Sequence, residues 1–175
     1  MPRLLLIRHA EAMARAPEGD LERPLTERGR ADAARMGAYC YATGLIPELA
    51  LVSPARRARD TLDVMLREFS QKPACEIEDL LYSADADELR DLLERISPSV
   101  KTLLIAGHNP GLAEFARFLV DSRESAGAPL RHFPAPCLAL IHFPCGDWTK
   151  AAAGGGRLDL FMNFSCSPAD DLLSQ

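Results

Sequence analysis

Three short apolar runs each stop abruptly at polar or turn-forming residues, and this repetition constrains the fold more than any other feature of the 175-residue chain. Leu4 to Ile7 runs into Arg8-His9, Leu49 to Val52 into Ser53-Pro54, and Thr102 to Ala106 into Gly107-His108-Asn109-Pro110. Apolar runs without polar alternation are the pattern of strands buried on both faces of a parallel sheet. Between them the periodicity becomes helical. Thr26, Glu27 to Thr43 and Gly44 read as an N-cap, an Ala-rich helix and a C′ glycine. Ser53-Pro54 reads as the N-cap and first position of a second helix, in which Ala58, Leu62, Met65 and Phe69 share a face. Asp85 and Glu88 make a capping box ahead of Leu89, Leu92, Leu93 and Ile96, and Leu112, Phe115, Ala116 and Leu119 mark a further helix. Cys137 to Phe143 and Arg157 to Phe164 are expected as late strands, with Ala151 to Gly156 in the loop between them.

Strands alternating with helices predict an α/β fold: one three-layer α/β/α domain over residues 1–175 with a mostly parallel central sheet, the late strands antiparallel at one edge. No internal repeat is visible. With 47% hydrophobic and 26% charged residues, the composition is that of an ordinary soluble globular chain. A net charge of -5 argues against general nucleic-acid binding, which needs clustered Lys and Arg. Apolar runs such as Cys137 to Ile141 fall far short of the roughly 20 residues that span a bilayer. The N-terminus lacks the ~7–15-residue apolar stretch of a secretory signal, so a cytoplasmic location is expected.

The five cysteines Cys40, Cys75, Cys137, Cys145 and Cys166 are odd in number and never spaced C-x-x-C, so they read as free thiols. No cysteine has an arginine six positions later, which excludes the phosphate loop of cysteine phosphatases. No G-x-x-x-x-G-K-[ST] loop is present. The histidines show no H-x-x-x-H pair; His132 and His142 read as packing residues, and no metal site or cofactor is expected.

In α/β sheets, ligands bind beyond the carboxyl ends of the strands, which selects Arg8-His9, Ser53 to Arg57, and Gly107-His108. Taken singly, each has an ordinary explanation: a surface loop, a solvated helix face of Arg56, Arg57 and Arg59, and a turn histidine. On one sheet edge they describe an anion site. Guanidinium forks match phosphate oxygens, and a neutral imidazole nitrogen is a competent phosphoryl acceptor near neutral pH, so no metal is required.

The stretches Leu5-Leu6-Ile7-Arg8-His9-Ala10-Glu11-Ala12, Arg23-Pro24-Leu25-Thr26-Glu27-Arg28-Gly29, Ser53-Pro54-Ala55-Arg56-Arg57-Ala58-Arg59-Asp60-Thr61 and Gly107-His108-Asn109-Pro110-Gly111 follow in order. Together they resemble the histidine phosphatase superfamily, of phosphoglycerate mutase-like fold, and within it the small SixA-type phosphohistidine phosphatase branch. The resemblance implies that His9 is the nucleophile, transiently phosphorylated, and that Arg8, Arg57 and His108 contact the phosphoryl group. The Arg23 to Gly29 segment is expected to shape the approach to the pocket.

Two departures from the family pattern matter. Ala10 follows His9 where the first motif often carries glycine, a small change. Larger members carry a glutamate general acid where this chain reads Glu76-Ile77-Glu78-Asp79-Leu80-Leu81-Tyr82, with Leu80 near the aligned position and Glu78 or Asp79 as possible substitutes. Ester phosphatases gain about 10²–10⁴-fold from a positioned acid, whereas the imidazole of phosphohistidine can leave already protonated on its other nitrogen. The short spacing between motifs also leaves no room for a large lid. The expected activity is hydrolysis of phosphohistidine on a protein. The alternatives are a small-molecule phosphomonoesterase acting on a phosphate ester and, more remotely, a non-catalytic phosphate-recognition module.

Overall fold

The computed structural model describes residues 1–120, 130 and 133–165. Its frame is a six-stranded sheet of β1 (Arg3–Arg8), β2 (Leu49–Val52), β3 (Ala74–Ile77), β4 (Thr102–Gly107), β5 (Cys137–His142) and β6 (Arg157–Asn163), in the order β3-β2-β4-β1-β5-β6. β1 to β4 pair in parallel, β5 runs antiparallel to β1, and β6 antiparallel to β5. The expected α/β architecture is therefore present, with the antiparallel pairs at one edge.

Strand alternation divides the core in two. Leu4, Leu6, Leu103 and Ile105 face one layer, where α3 (Ala86–Glu94), α4 (Gly111–Leu119) and the short α5 (Trp148–Ala151) pack. Leu5, Ile7, Leu104 and Ala106 face the other, against Met36 and Cys40 of α1 (Glu27–Ala42) and Ala58, Leu62 and Met65 of α2 (Arg56–Met65). Burial on both faces explains why the central strands read as unbroken apolar runs.

Local signals largely hold. Thr26 caps α1 by accepting from the Gly29 amide at 2.9 Å, and Asp85 and Glu88 form the expected capping box of α3. Three features differ. α2 starts at Arg56 with Ala55 as its N-cap residue, because the Ser53 hydroxyl is turned to another partner. β3 gave no sequence signal, since all four of its residues are exposed on the sheet edge. Ala151 closes a helical turn whose indole, Trp148, is buried and donates to the Val100 carbonyl at 2.7 Å.

Cys40, Cys75, Cys137 and Cys145 are free thiols, as expected, while His132 and Cys166 lie outside the described residues. Among the described residues no helix is long and apolar enough to cross a membrane.

The start of α4 is pressed against the start of α3. A Cβ on Gly111 would fall well inside van der Waals contact with the Ala84 carbonyl oxygen, so only glycine permits this approach. Gly111→Ala is expected to cost about 1–3 kcal/mol in urea unfolding, the usual cost of overpacking. It should also slow any chemistry at His108, which precedes this helix by three residues in the chain.

Candidate active site

The sheet register gathers the cluster. β1 and β4 align Arg8 with Gly107, and β2 and β4 align Val52 with Ala106, so the residues that follow emerge side by side. The ladder continues past the strands through the His9 amide to the Gly107 carbonyl at 3.4 Å and the Ser53 amide to the Ala106 carbonyl at 3.0 Å. As a result the His9 and His108 rings lie with centroids 5.0 Å apart. Arg57, 6% exposed, reaches them from the first turn of α2.

Hydrogen bonding sets the proton positions on His9. Its Nδ1 lies 2.7 Å from the Ala10 carbonyl oxygen, which can only accept, so the proton is on Nδ1. Its Nε2 accepts from Arg57 Nε at 3.2 Å, so the lone pair is on Nε2. The Ala10 amide donates to Thr61 Oγ1 at 3.0 Å, and Thr61 donates to the Arg57 carbonyl at 2.6 Å, which locks the turn after β1 to α2.

Burial first, and the charges of Arg57 and Arg8 next, push the His9 pKa down from 6.5 to about 4. His108 falls to about 3, through burial and then the proximity of His9 and Arg57. Both rings are therefore neutral around pH 7, and Nε2 of His9 carries a lone pair. Arg8 donates through Nη1 to the Phe133 carbonyl at 2.7 Å, and its Nε is buried with no protein partner among the described residues. A buried, unpartnered guanidinium nitrogen is costly unless an anion meets it.

Four residues singled out in the sequence, Arg8, His9, Arg57 and His108, are thus brought together. Glu78 and Asp79 are not. They stand at the start of the 3-10 turn Asp79–Tyr82 beyond β3, which β2 and β4 separate from β1, and among the described residues neither carboxylate bonds to His9, Arg57 or His108. Among the described residues no group of three His, Cys, Asp or Glu is placed to hold a metal ion.

Three further side chains belong to the cluster: Ser53, which the sequence places in the Ser53 to Arg57 stretch but marks as a helix cap, and Asp20 and Tyr82, to which it gives no site role. The Ser53 hydroxyl lies 2.8 Å from His108 Nε2, and it also accepts from the Ala55 amide at 3.3 Å. The hydroxyl has a second lone pair and one proton, so it can meet His108 Nε2 in either tautomer of that ring. Asp20 takes Arg57 Nη1 on its carbonyl at 2.8 Å and Nη2 on its carboxylate at 3.1 Å. Tyr82 donates its hydroxyl to the same carboxylate at 2.6 Å, and its ring stands edge-on to His108, centroids 5.8 Å apart. Sequence distance hides these links: 37 residues separate Asp20 from Arg57, and 62 separate it from Tyr82.

Imidazole ¹⁵N NMR of the free protein should show His9 neutral, protonated on Nδ1, down to about pH 5, with titration near 4 rather than near 6.5. Since the folded values lie below 6.5, the unfolded chain binds protons that the folded chain does not, so stability falls as the pH drops from about 6.5 towards 4.

The comparisons with known proteins agree with this geometry. A chloroplastic Arabidopsis thaliana protein, itself uncharacterized, is 32% identical over 171 residues, covering 90% of this chain and 75% of the relative. A candidate phosphohistidine phosphatase SixA from Nakamurella multipartitia superposes with a TM-score of 0.82 at 27% identity, covering 93% of this chain and 95% of the other. A second, from Agrobacterium tumefaciens, gives 0.79 at 26% identity, with 93% and 97% covered. A sequence model of the histidine phosphatase superfamily, branch 1, matches residues 4–104. With its two histidines and two arginines gathered on the carboxyl edge of the sheet, the chain belongs to the histidine phosphatase superfamily.

Proposed function

We propose that this protein is a phosphohistidine phosphatase that removes the phosphoryl group from a histidine of another protein through a covalent phospho-His9 intermediate. The observation that carries this reading is the state of His9: neutral, with Nε2 unprotonated and lying against the Arg57 guanidinium. Arg57 and Arg8 take the phosphoryl oxygens, with His108 beside His9 as the further contact of the phosphoryl group. Fixed positive charge and alignment supply most of the catalysis in a loose in-line phosphoryl transfer. Nε2 of His9 forms a bond to phosphorus as the P–N bond of the substrate breaks, its electron pair returning to the leaving ring. Water then attacks the phosphorus of phospho-His9 and releases inorganic phosphate, regenerating the nucleophile.

Two observations support this substrate class. Leu80 occupies the region in which larger relatives carry an acid, and among the described residues neither Glu78 nor Asp79 is bonded to His9, Arg57 or His108. A leaving imidazole protonated on its far nitrogen needs no such donor, whereas an alkoxide does. The SixA-type structures, similar over more than nine tenths of the chain, favour the same choice. No metal enters the scheme, and the partner is a phosphorylated protein.

The test is phosphate release from a phosphohistidine-bearing protein and from an aryl phosphate, both in chelator. His9→Ala should lower release at least about 10³-fold, and acid-free quenching should trap a phosphoenzyme in the wild type that this variant lacks. Preference for the aryl phosphate would move the substrate to small esters. Release that persists in His9→Ala would overturn the covalent mechanism.

A further inference from the structure

Arg57 has no idle nitrogen: Nε donates to His9 Nε2, and Nη1 and Nη2 donate to the carbonyl and carboxylate of Asp20. Asp20 opens the 3-10 turn Asp20–Glu22 that leads from β1 towards α1. Its carboxylate also accepts from Arg23 Nε at 2.8 Å and from the Tyr82 hydroxyl at 2.6 Å, yet the side chain remains 52% exposed. It is thus fixed in place and open to solvent at once, joining Arg57 to Tyr82. The Tyr82 ring stands against His108, and His108 against His9, and the Asp20 charge acts on His108.

In-line transfer fixes where the leaving group goes. His9 attacks from the strand ends, so the group that departs lies on the opposite side of the phosphorus, towards the solvent that Asp20 meets. We infer that Asp20 is the specificity-determining residue of this site, accepting the N–H of the leaving imidazolium ring of a phosphohistidine. The inference rests on the phosphohistidine reading above and adds the group that recognises the ring.

The chemistry discriminates between P–N and P–O bonds. In phosphohistidine protonated on its far nitrogen, the ring is cationic before transfer. The P–N electron pair returns to the ring, which leaves as neutral imidazole with its N–H in place, so no proton has to move. A carboxylate bound to that N–H favours the protonated, reactive form of the substrate. An ester behaves oppositely, because its leaving oxygen gains negative charge and an ionised carboxylate nearby opposes it. Asp20 does not serve as the missing acid: the Tyr82 hydroxyl, with Arg57 and Arg23, holds its pKa at about 2. The groups that face it are Arg57 from α2, Arg23 from its own loop, Tyr82 from the turn after β3 and His108 after β4. The two arginines are cationic, and Tyr82, its pKa raised by the bond to Asp20, stays a neutral donor.

The experiment compares wild type, Asp20→Asn, Asp20→Glu and Tyr82→Phe on a phosphohistidine peptide and on p-nitrophenyl phosphate, reading kcat/KM for each and the pH profile of kcat. In Asp20→Asn the ratio of phosphohistidine to aryl turnover should fall about tenfold or more, the value of one charge-assisted hydrogen bond. Tyr82→Phe should lower it less, and Asp20→Glu should restore part of it. The basic limb of the phosphohistidine profile should move to lower pH in Asp20→Asn, with no matching shift on the aryl ester. An unchanged ratio, with both substrates losing equally, would reduce Asp20 to a support for Arg57 and overturn the inference. Wild type preferring the aryl ester would instead overturn the proposed function, a result read without any Asp20 variant.

Discussion

The hydrogen-bonded ladder that aligns Arg8 with Gly107 and Val52 with Ala106 is the constraint from which the rest of the site follows. Parallel strands in this register end on one line, so whatever follows each of them is delivered to one place. A slip of one residue in β1 would send Leu5 and Ile7 to the wrong layer and turn Arg8 and His9 away from His108. The apolar residues of β1 and β4, divided cleanly between two helical layers, make such a slip costly. Core packing thus holds the register, and the register holds the chemistry.

Burial then converts a set of basic residues into a reactive one. On a solvated surface, two histidines near two arginines would titrate close to their ordinary values. Here desolvation and neighbouring guanidinium charge keep both rings neutral, and backbone carbonyls choose the tautomer of His9. The Phe133 carbonyl plays a similar part for the second arginine, accepting from Arg8 Nη1 at 2.7 Å and from Asn109 Nδ2 at 2.8 Å. Positive charge is concentrated by the fold and only partly neutralised by Asp20, which leaves a pocket suited to a dianion.

The sequence was most legible where one residue type serves one purpose. Runs such as Leu4 to Ile7 announce their strands, the Asp85–Glu88 box announces its helix, and motif spacing brings Arg8, His9, Arg57 and His108 into view. It was least legible where a residue could serve two. Ser53 before Pro54 has every mark of a helix cap, yet its hydroxyl orients His108. Tyr82 and Asp20 lie in polar loop sequence where a carboxylate or phenol is unremarked. β3, exposed along its whole length, lacks the apolar pattern that betrays a strand.

By itself, then, the sequence determined the α/β layering, the strand ends at which chemistry gathers, and the identity of four charged or nucleophilic groups, because hydrophobic periodicity and motif spacing are local properties of the chain. Only the tertiary structure decided which nitrogen of His9 is unprotonated and which carboxylate reaches Arg57. Those outcomes depend on contacts between residues tens of positions apart and on the exclusion of water from the space between them, and neither is encoded in any short stretch of chain.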